Sequence, residues 1–245
     1  MIVVKSPDEI ETMRQGGRIL ATVLGKLREA VSPGMRTREF DEIVEGELKH
    51  WGARASFKGY RGFPANLCVS VNDEVVHGLP GDRRIEEGDI VSFDVGVLFG
   101  GLHTDAAVTV KVGEVDEEKE RLLAVTEASL KVGIAQARCG AHVGDISAAI
   151  EDYVESHGFA AVREYTGHGV GRELHEEPQV PNIVFSRGPA LRKGMTLAIE
   201  PMVNAGDWRT LVDDNNWTVR TADGRPSAHF EHTIVITDGQ AEVLT

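Results

Sequence analysis

Four carboxylates set in apolar, strand-like surroundings are the side chains best placed to do chemistry. They are Asp94 in Ser92-Phe93-Asp94-Val95, Asp105 ahead of Ala106-Ala107-Val108, Glu200 in Ala198-Ile199-Glu200-Pro201, and Glu231 between Phe230 and His232. A carboxylate buried in such a place costs several kcal/mol unless it is paired. No Lys or Arg lies within three residues of any of the four. Divalent cations are then the natural partners. The charges suit two ions, since four carboxylates supply −4 and a neutral imidazole ligand adds nothing. Two ions about 3.5–4 Å apart, bridged by carboxylates, can activate a water and clamp a carbonyl. Taken singly, each carboxylate reads equally well as a surface residue of an edge strand.

Histidines supply a second kind of group. His168 and His175 sit seven residues apart in Gly167-His168-Gly169-Val170-Gly171-Arg172-Glu173-Leu174-His175-Glu176-Glu177-Pro178. Three glycines let backbone approach a site closely, so this run reads as a loop. His77, in Val76-His77-Gly78-Leu79-Pro80, has a similar but weaker setting. His50, His103, His142, His157, His229 and His232 read as solvated or structural, although His103 and His232 lie beside the carboxylates in sequence.

The elements that must hold these groups are legible from pattern. Ser6-Pro7-Asp8-Glu9 is a helix start, with Ser6 as cap and Glu9 closing a capping box. Apolar residues then recur at helical spacing from Ile10 to Val31. A second helix carries Phe40, Ile43, Val44 and Leu48 inward and ends at Gly52. The stretch from Phe57 to Val76 predicts loops and short strands. Strands are predicted at Asp89 to Phe99, Ala106 to Val112, Met195 to Val203 and Phe230 to Ile236, and helices at Glu117 to Ala137 and Asp145 to Ser156.

An internal repeat runs at an offset of 106. Gly34, Gly52 and Gly88 become Gly140, Gly158 and Gly194. The helix face Phe40, Ile43, Val44, Leu48 becomes Ile146, Ala149, Ile150, Val154, and Asp94 becomes Glu200. Asp105 matches Glu231 at the larger offset of 126. The implied architecture is two similar α+β halves, about 1–117 and 118–245, in a single catalytic domain.

These motifs, in this order and from about Ser6 to Leu244, resemble those of the type I methionine aminopeptidases. The residues carrying the resemblance are Val76-His77-Gly78, Asp94 with Asp105, Gly167-His168-Gly169-Val170-Gly171, Ala198-Ile199-Glu200-Pro201-Met202 and Phe230-Glu231-His232-Thr233. The resemblance implies a pita-bread α+β fold: a curved antiparallel sheet, helices on its outer face, and a dinuclear site at a pseudo-twofold. It implies Asp94, Asp105, His168, Glu200 and Glu231 as metal ligands, with Asp105 and Glu231 bridging and Glu200 doubling as general base. His175 would stabilise charge on the scissile carbonyl oxygen, and His77 would contact the substrate at the mouth. Phe57, Tyr60, Phe63, Cys68 and Trp217 would line a slot for a methionine side chain. Leu174 stands where the family often carries an aromatic. The implied cofactors are two divalent ions, of Co, Mn, Fe or Zn, with a monovalent cation near Asn72 and Ser227 as a further family option. The implied activity is removal of the initiator methionine from nascent polypeptides with a small second residue, by a cytoplasmic monomer that meets the ribosome at most transiently. Rival readings are a proline-specific relative (an Xaa-Pro aminopeptidase or prolidase), a creatinase-like hydrolase, and a binding module on the same fold that has lost its metals.

Composition narrows the field from the other side. With 245 residues, 41% hydrophobic and 27% charged, the chain can build a full core without staples. Its net charge of −13 is a poor match for a phosphate backbone or an anionic membrane. Neither nucleic-acid nor membrane binding is expected as its main task. Two cysteines make no disulfide framework and suit a reducing compartment. The N-terminal segment meets charge after four apolar residues, so no signal peptide is expected.

Overall fold

The structure, a computed structural model, describes residues 2–245. Helix α1 (Pro7–Ala30) begins at the expected box: Ser6 Oγ accepts from Glu9 N, and the Glu9 carboxylate accepts from Ser6 N. Its buried face is Met13, Gly16, Gly17, Ile19, Leu20, Val23 and Leu27. Helix α2 (Thr37–His50) buries Phe40, Val44 and Leu48. Helices α3 (Glu117–Gln136) and α4 (Val143–Ser156) follow in the second half. Helix α3 buries two hydroxyls, Thr126 and Ser129, and both donate to carbonyls of their own helix, which removes the cost of their burial.

The sequence repeat is a structural repeat. Helices α2 and α4 are related by the offset of 106 at both ends. Gly34 N donates to Ile85 O at 2.8 Å, and Gly140 N to Leu191 O at 3.0 Å. Bridges Arg36–Arg84 and His142–Ala190 recur at the same offset. The paired glycines adopt the same left-handed backbone, with φ of 93° and 90° at Gly34 and Gly140, and 89° and 84° at Gly88 and Gly194. A side chain is strained there, which is why the repeat kept glycine.

All strand pairs are antiparallel. In the first half, the hairpin Ile90–Phe99 with Leu102–Lys111 takes Cys68–Val71 and Arg54–Ala55 at its other edge. In the second half, Thr196–Ile199 lies between Thr166–Gly169 and His232–Val235, with Glu176–Pro181 and Glu242–Val243 outside. Short strands Met202–Asn204 and Ser227–His229 pair nearby. The halves are sewn together where the chemistry lies. Ala107 and Glu231 exchange backbone hydrogen bonds, and Thr233 Oγ1 both receives from Asp105 N and donates to Asp105 O.

Three expectations are corrected. The single strand expected at Met195 to Val203 is broken at Glu200-Pro201, because Pro201 has no N–H to donate and the chain leaves one sheet for another. The strand expected at Phe230 to Ile236 begins only at His232, after the chain has left the sheet of Ser227–His229, and ends at Val235. The glycine-rich run around His168 is not loop throughout: its two ends are strand, Thr166–Gly169 pairing with Glu176–Pro181, and only the stretch between them, which carries His175, is a loop. A Cβ on Gly167 or Gly169 would lie 2.4 Å from a neighbouring carbonyl oxygen, so close strand packing explains these glycines.

Gly78, next to His77, is under the same constraint, since a Cβ there would lie 2.1 Å from Val69 O. Gly78→Ala is therefore expected to destabilise the protein by at least ~2 kcal/mol in urea unfolding, the range of overpacked cores. Gly25→Ala, in α1 with nothing within 4 Å of the added methyl, should be neutral or gain ~0.5–1 kcal/mol. Equal effects at the two positions would show that close approach is not what holds the His77 segment.

Candidate metal centre and substrate pocket

Strand register gathers the acidic groups. Asp94 faces Ala107 and Gly96 faces Asp105, so Asp94 and Asp105 share one face of the hairpin two positions apart. In the second half His168 and Thr233 both pair with Ala198. Glu200, two residues beyond Ala198, and Glu231, two before Thr233, continue that face just where the strands break. The sewn junction then sets the two faces against each other.

The result is a crowded, dry cluster. Asp105, His168 and Glu231 are buried, with ligand atoms all within 4.8 Å of one another. His168 Nε2 lies 3.5 Å from Glu200 Oε1 and 4.0 Å from Asp105 Oδ2. Its Nδ1 is 2.8 Å from Gly169 O. A carbonyl only accepts, so Nδ1 carries the proton and Nε2 presents a bare lone pair to the carboxylates. Asp94 Oδ1, Asp105 Oδ1 and Glu231 Oε1 are buried with no hydrogen-bond partner. Lone pairs facing lone pairs repel unless a cation lies among them. The donor set of carboxylates with one neutral imidazole therefore fits divalent metal.

The same crowding moves the ionisations. Burial pushes Asp94 up to about 7. Burial first, then charged neighbours, pushes Asp105, Glu200 and Glu231 well above the carboxylate range. Burial lowers His168 to about 4, so it is neutral and competent as a ligand at pH 7.

Beside the cluster opens a cavity of about 170 Å³. Its lining brings together the residues expected to bind metal, act on the peptide or form the slot: Phe57, Tyr60, Phe63, Cys68, His77 and Trp217, with Asp94, Asp105, His168, His175, Glu200 and Glu231; Asn72 and Ser227 lie outside it. Phe63 meets Trp217 edge-on at 5.1 Å and Phe57 at 6.4 Å. Burial raises the Cys68 thiol well above its ordinary pKa, which keeps it an apolar wall and no nucleophile. Leu174 and Arg61 complete the lining. Arg61 escaped the sequence reading because nothing in its local pattern marks it. Its φ of 49° shows how the turn aims it.

His175 stands at the rim, exposed, with its ring 4.2 Å from that of His168. Tyr60 stacks on it, and the Tyr60 hydroxyl is 3.0 Å from His175 Nδ1, which engages that nitrogen and leaves Nε2 as the other hydrogen-bonding atom of the ring. The loop that carries His175 is tied down by Glu176, which pairs with buried Lys5 and accepts from Arg172 N and Glu173 N. His77 holds a left-handed backbone at φ 58°, uncommon for a residue with a side chain and frequent at functional sites. Burial lowers its basicity. His103 and His232 turn away from the cluster, onto Ser56 and Thr245 respectively. His229, read from sequence as solvated or structural, is buried against Glu200. Asn72 and Ser227 meet through a backbone hydrogen bond of 2.9 Å across the halves.

A pita-bread fold with a buried cluster of four carboxylates and one imidazole beside an aromatic slot defines a metallopeptidase. A profile of metallopeptidase family M24 matches residues 11–238. The chain is similar to the methionine aminopeptidase of Clostridium perfringens, at 50% identity over all of this chain and 99% of that one. Methionine aminopeptidase 1 of Bacillus subtilis shares 50% identity at the same coverage. The crystal structure of the Thermotoga maritima methionine aminopeptidase superposes with a TM-score of 0.98, at 49% identity, covering 100% of this chain and 99% of that one. The prolidase of Pyrococcus furiosus shares the fold at a TM-score of 0.83 and 24% identity, covering 99% of this chain and 65% of that one. The chain belongs to metallopeptidase family M24, in its methionine aminopeptidase branch.

The metal-free protein should carry the signature of its buried acids. Unfolded carboxylates titrate near pH 4 and unfolded imidazoles near pH 6.5. Below about pH 6.5 the buried histidines lose stability as pH falls and oppose the carboxylates. Above that pH the histidines are neutral in both states. The folded carboxylates, Asp94 at about 7 and the others raised well above the ordinary carboxylate range, still hold protons that the unfolded chain has lost. Stability then falls as pH rises. The expected outcome is a melting temperature that declines as pH rises from about 6.5 through about 7 in chelator-treated protein, with the slope removed by divalent metal. A flat profile without metal would refute the buried-acid reading.

Proposed function

We propose that this chain removes the N-terminal methionine from polypeptides by metal-assisted hydrolysis. The observation that carries the reading is the bare Nε2 of His168, set 3.5 Å from Glu200 and 4.0 Å from Asp105 beside a slot the size of one side chain. That slot is of the order of the ~150 Å³ apolar cavity that accepts a benzene-sized guest. It suits a single flexible thioether side chain against Phe57, Phe63, Cys68, Leu174 and Trp217.

Asp94, Asp105, His168, Glu200 and Glu231 would hold two divalent ions, whose Lewis acidity acidifies water and polarises the scissile carbonyl. Asp105 from the first half and Glu231 from the second, with ligand atoms within 4.8 Å of each other, would help to hold the ions at the junction of the halves. Glu200, a carboxylate whose proton affinity burial and its neighbours raise, takes a proton from water and passes it to the leaving amine. His175, oriented by Tyr60, donates from Nε2 to the carbonyl oxygen as negative charge develops there. His77 contacts the substrate amide at the mouth. The two halves work as one catalytic unit, because each contributes ligands that are useless alone.

We take the physiological substrates to be nascent chains with a small second residue, met in a reducing cytoplasm. The free thiols of Cys68 and the exposed Cys139 are compatible with that compartment. Among the described residues no helix is long and apolar enough to cross a membrane.

The test is hydrolysis of Met-Ala-Ser, Leu-Ala-Ser and Ala-Pro-Ala by chelator-stripped protein reloaded with Co²⁺ or Mn²⁺. Metal-dependent release of methionine alone is expected. Release from Ala-Pro-Ala would instead place the chain with the proline-specific enzymes of the same fold. No turnover with no metal bound would sink the peptidase reading. In the loaded enzyme, Glu200→Gln should lower kcat by about 10²–10⁴, the usual worth of a general base. His175→Ala should lower it by about 10²–10³, the worth of one oxyanion donor. Loss confined to KM in either variant would remove that residue from the chemistry.

A further inference from the structure

His229 is a buried titratable side chain that the scheme above leaves without work. It is 1% exposed, at the end of the strand Ser227–His229, opposite Met202. Its backbone is engaged: His229 N donates to Thr109 Oγ1, and His229 O accepts from the same hydroxyl, both at 2.8 Å. Its ring is not engaged at all. Neither Nδ1 nor Nε2 has a hydrogen-bond partner. A buried N–H left unpaired costs about 1–3 kcal/mol, and a neutral imidazole must carry one N–H.

A carboxylate oxygen lies just beyond hydrogen-bonding distance. Glu200 Oε2 lies 3.7 Å from His229 Nε2. The other oxygen of the same carboxylate, Oε1, lies 3.5 Å from His168 Nε2. Glu200 is thus bracketed between two imidazoles, one on each oxygen. They differ in kind. His168 has its proton on Nδ1, against Gly169 O, and so offers Nε2 as a lone pair. His229 has no carbonyl on Nδ1, so the tautomer with hydrogen on Nε2 is the one that gains a partner.

We propose that His229 is a positioning residue for Glu200: its Nε2–H donates to Oε2 and fixes the plane of the carboxylate, so that Oε1 is presented to the reaction. The contact at 3.7 Å is longer than a formed hydrogen bond, and a rotation of the carboxylate is enough to close it. A charged acceptor makes such a bond about twice as strong as a neutral pair. Hydrogen bonds of this sort, behind a metal ligand, typically carry 10–100-fold in metal affinity or activity. This inference rests on the reading of Glu200 as ligand and base.

The test compares the wild type with His229→Phe, which fills the space without a donor, His229→Gln, which restores a donor of similar reach, and His229→Asn, which is polar but too short. Three quantities are read. Calorimetry with Mn²⁺ counts the ions and their affinities. Turnover of Met-Ala-Ser separates kcat from KM. Nitrogen-15 spectra of the imidazoles in Zn²⁺-loaded protein, assigned by loss of the signal in H229Q, report the tautomer. The expected result is an Nε2–H tautomer at His229. In H229F and H229N one of the two ions should bind about 10–100-fold more weakly. In the same variants kcat should fall by a similar factor, with KM within about twofold. H229Q should recover both. An Nδ1–H tautomer, wild-type ion affinity in H229F, or a deficit in H229Q equal to that in H229N would each overturn the proposal. Should H229F fail to fold, the H229Q and H229N pair still decides. Glu200→Gln, run alongside, separates the two levels. Wild-type ion affinity and turnover in that variant would overturn the role of Glu200 itself, whereas impaired E200Q with unimpaired H229F and H229N would overturn His229 alone.

Discussion

Mutual repulsion among buried carboxylates is the constraint on which the rest of this structure depends. Asp94, Asp105, Glu200 and Glu231 converge on one pocket, three of their oxygens have no partner, and the imidazole of His168 turns a lone pair toward them. A folded chain holds such a cluster only where something else over-determines it, or where cations neutralise it. Both apply here. The surrounding sheets are anchored by two apolar cores, one built mainly from residues 19–112 and one mainly from residues 108–236. The junction between them leaves the acids no room to separate.

The duplication explains how the cluster is delivered. Each half builds the same helix, the same left-handed glycine turns and the same backbone bonds, and each supplies carboxylates from equivalent strands. The second half departs from the first where it matters. Pro201 ends a strand at Glu200, and the chain crosses to another sheet. The carboxylate is left at a strand end rather than within a ladder, where its backbone no longer dictates a strict alternation. His229 stands behind that break, against the outer oxygen of the same carboxylate.

Specificity and chemistry are built from different parts. The slot is a small cluster of its own, Phe57, Phe63, Ala65, Cys68 and Leu174 with Tyr60 and Trp217 against it, and it needs no charge. The rim is polar: His175, Tyr60 and Arg61 converge there. Tyr60 belongs to both, since its ring walls the slot while its hydroxyl orients His175. The buried pair of Lys5 and Glu176 ties the rim loop to the start of the chain, so the first residues of α1's approach help to hold a group more than a hundred and sixty positions away.

Much of this was legible in the sequence, for a physical reason. Capping boxes, helical faces and paired glycines are local signals, and Ser6, Glu9, Gly34 and Gly140 act within a turn of where they stand. The acids were legible because an unpaired carboxylate among Val, Ile and Phe is improbable without a cation, and because the repeat put Asp94 and Glu200 in register. What the sequence misread depends on partners distant along the chain. His168 belongs to a strand because Gly167 and Gly169 admit close neighbours from residues 176–181 and 196–199. Arg61 enters the cavity only through an unusual backbone turn. His229 touches Glu200 only after two strands have exchanged sheets. Residue type and spacing by themselves marked four carboxylates as candidate partners of divalent cations, and the resemblance of the ordered motifs added the histidines and the peptide. Tertiary structure alone decided which oxygen faces which imidazole, because that is set by packing between segments that no local pattern connects.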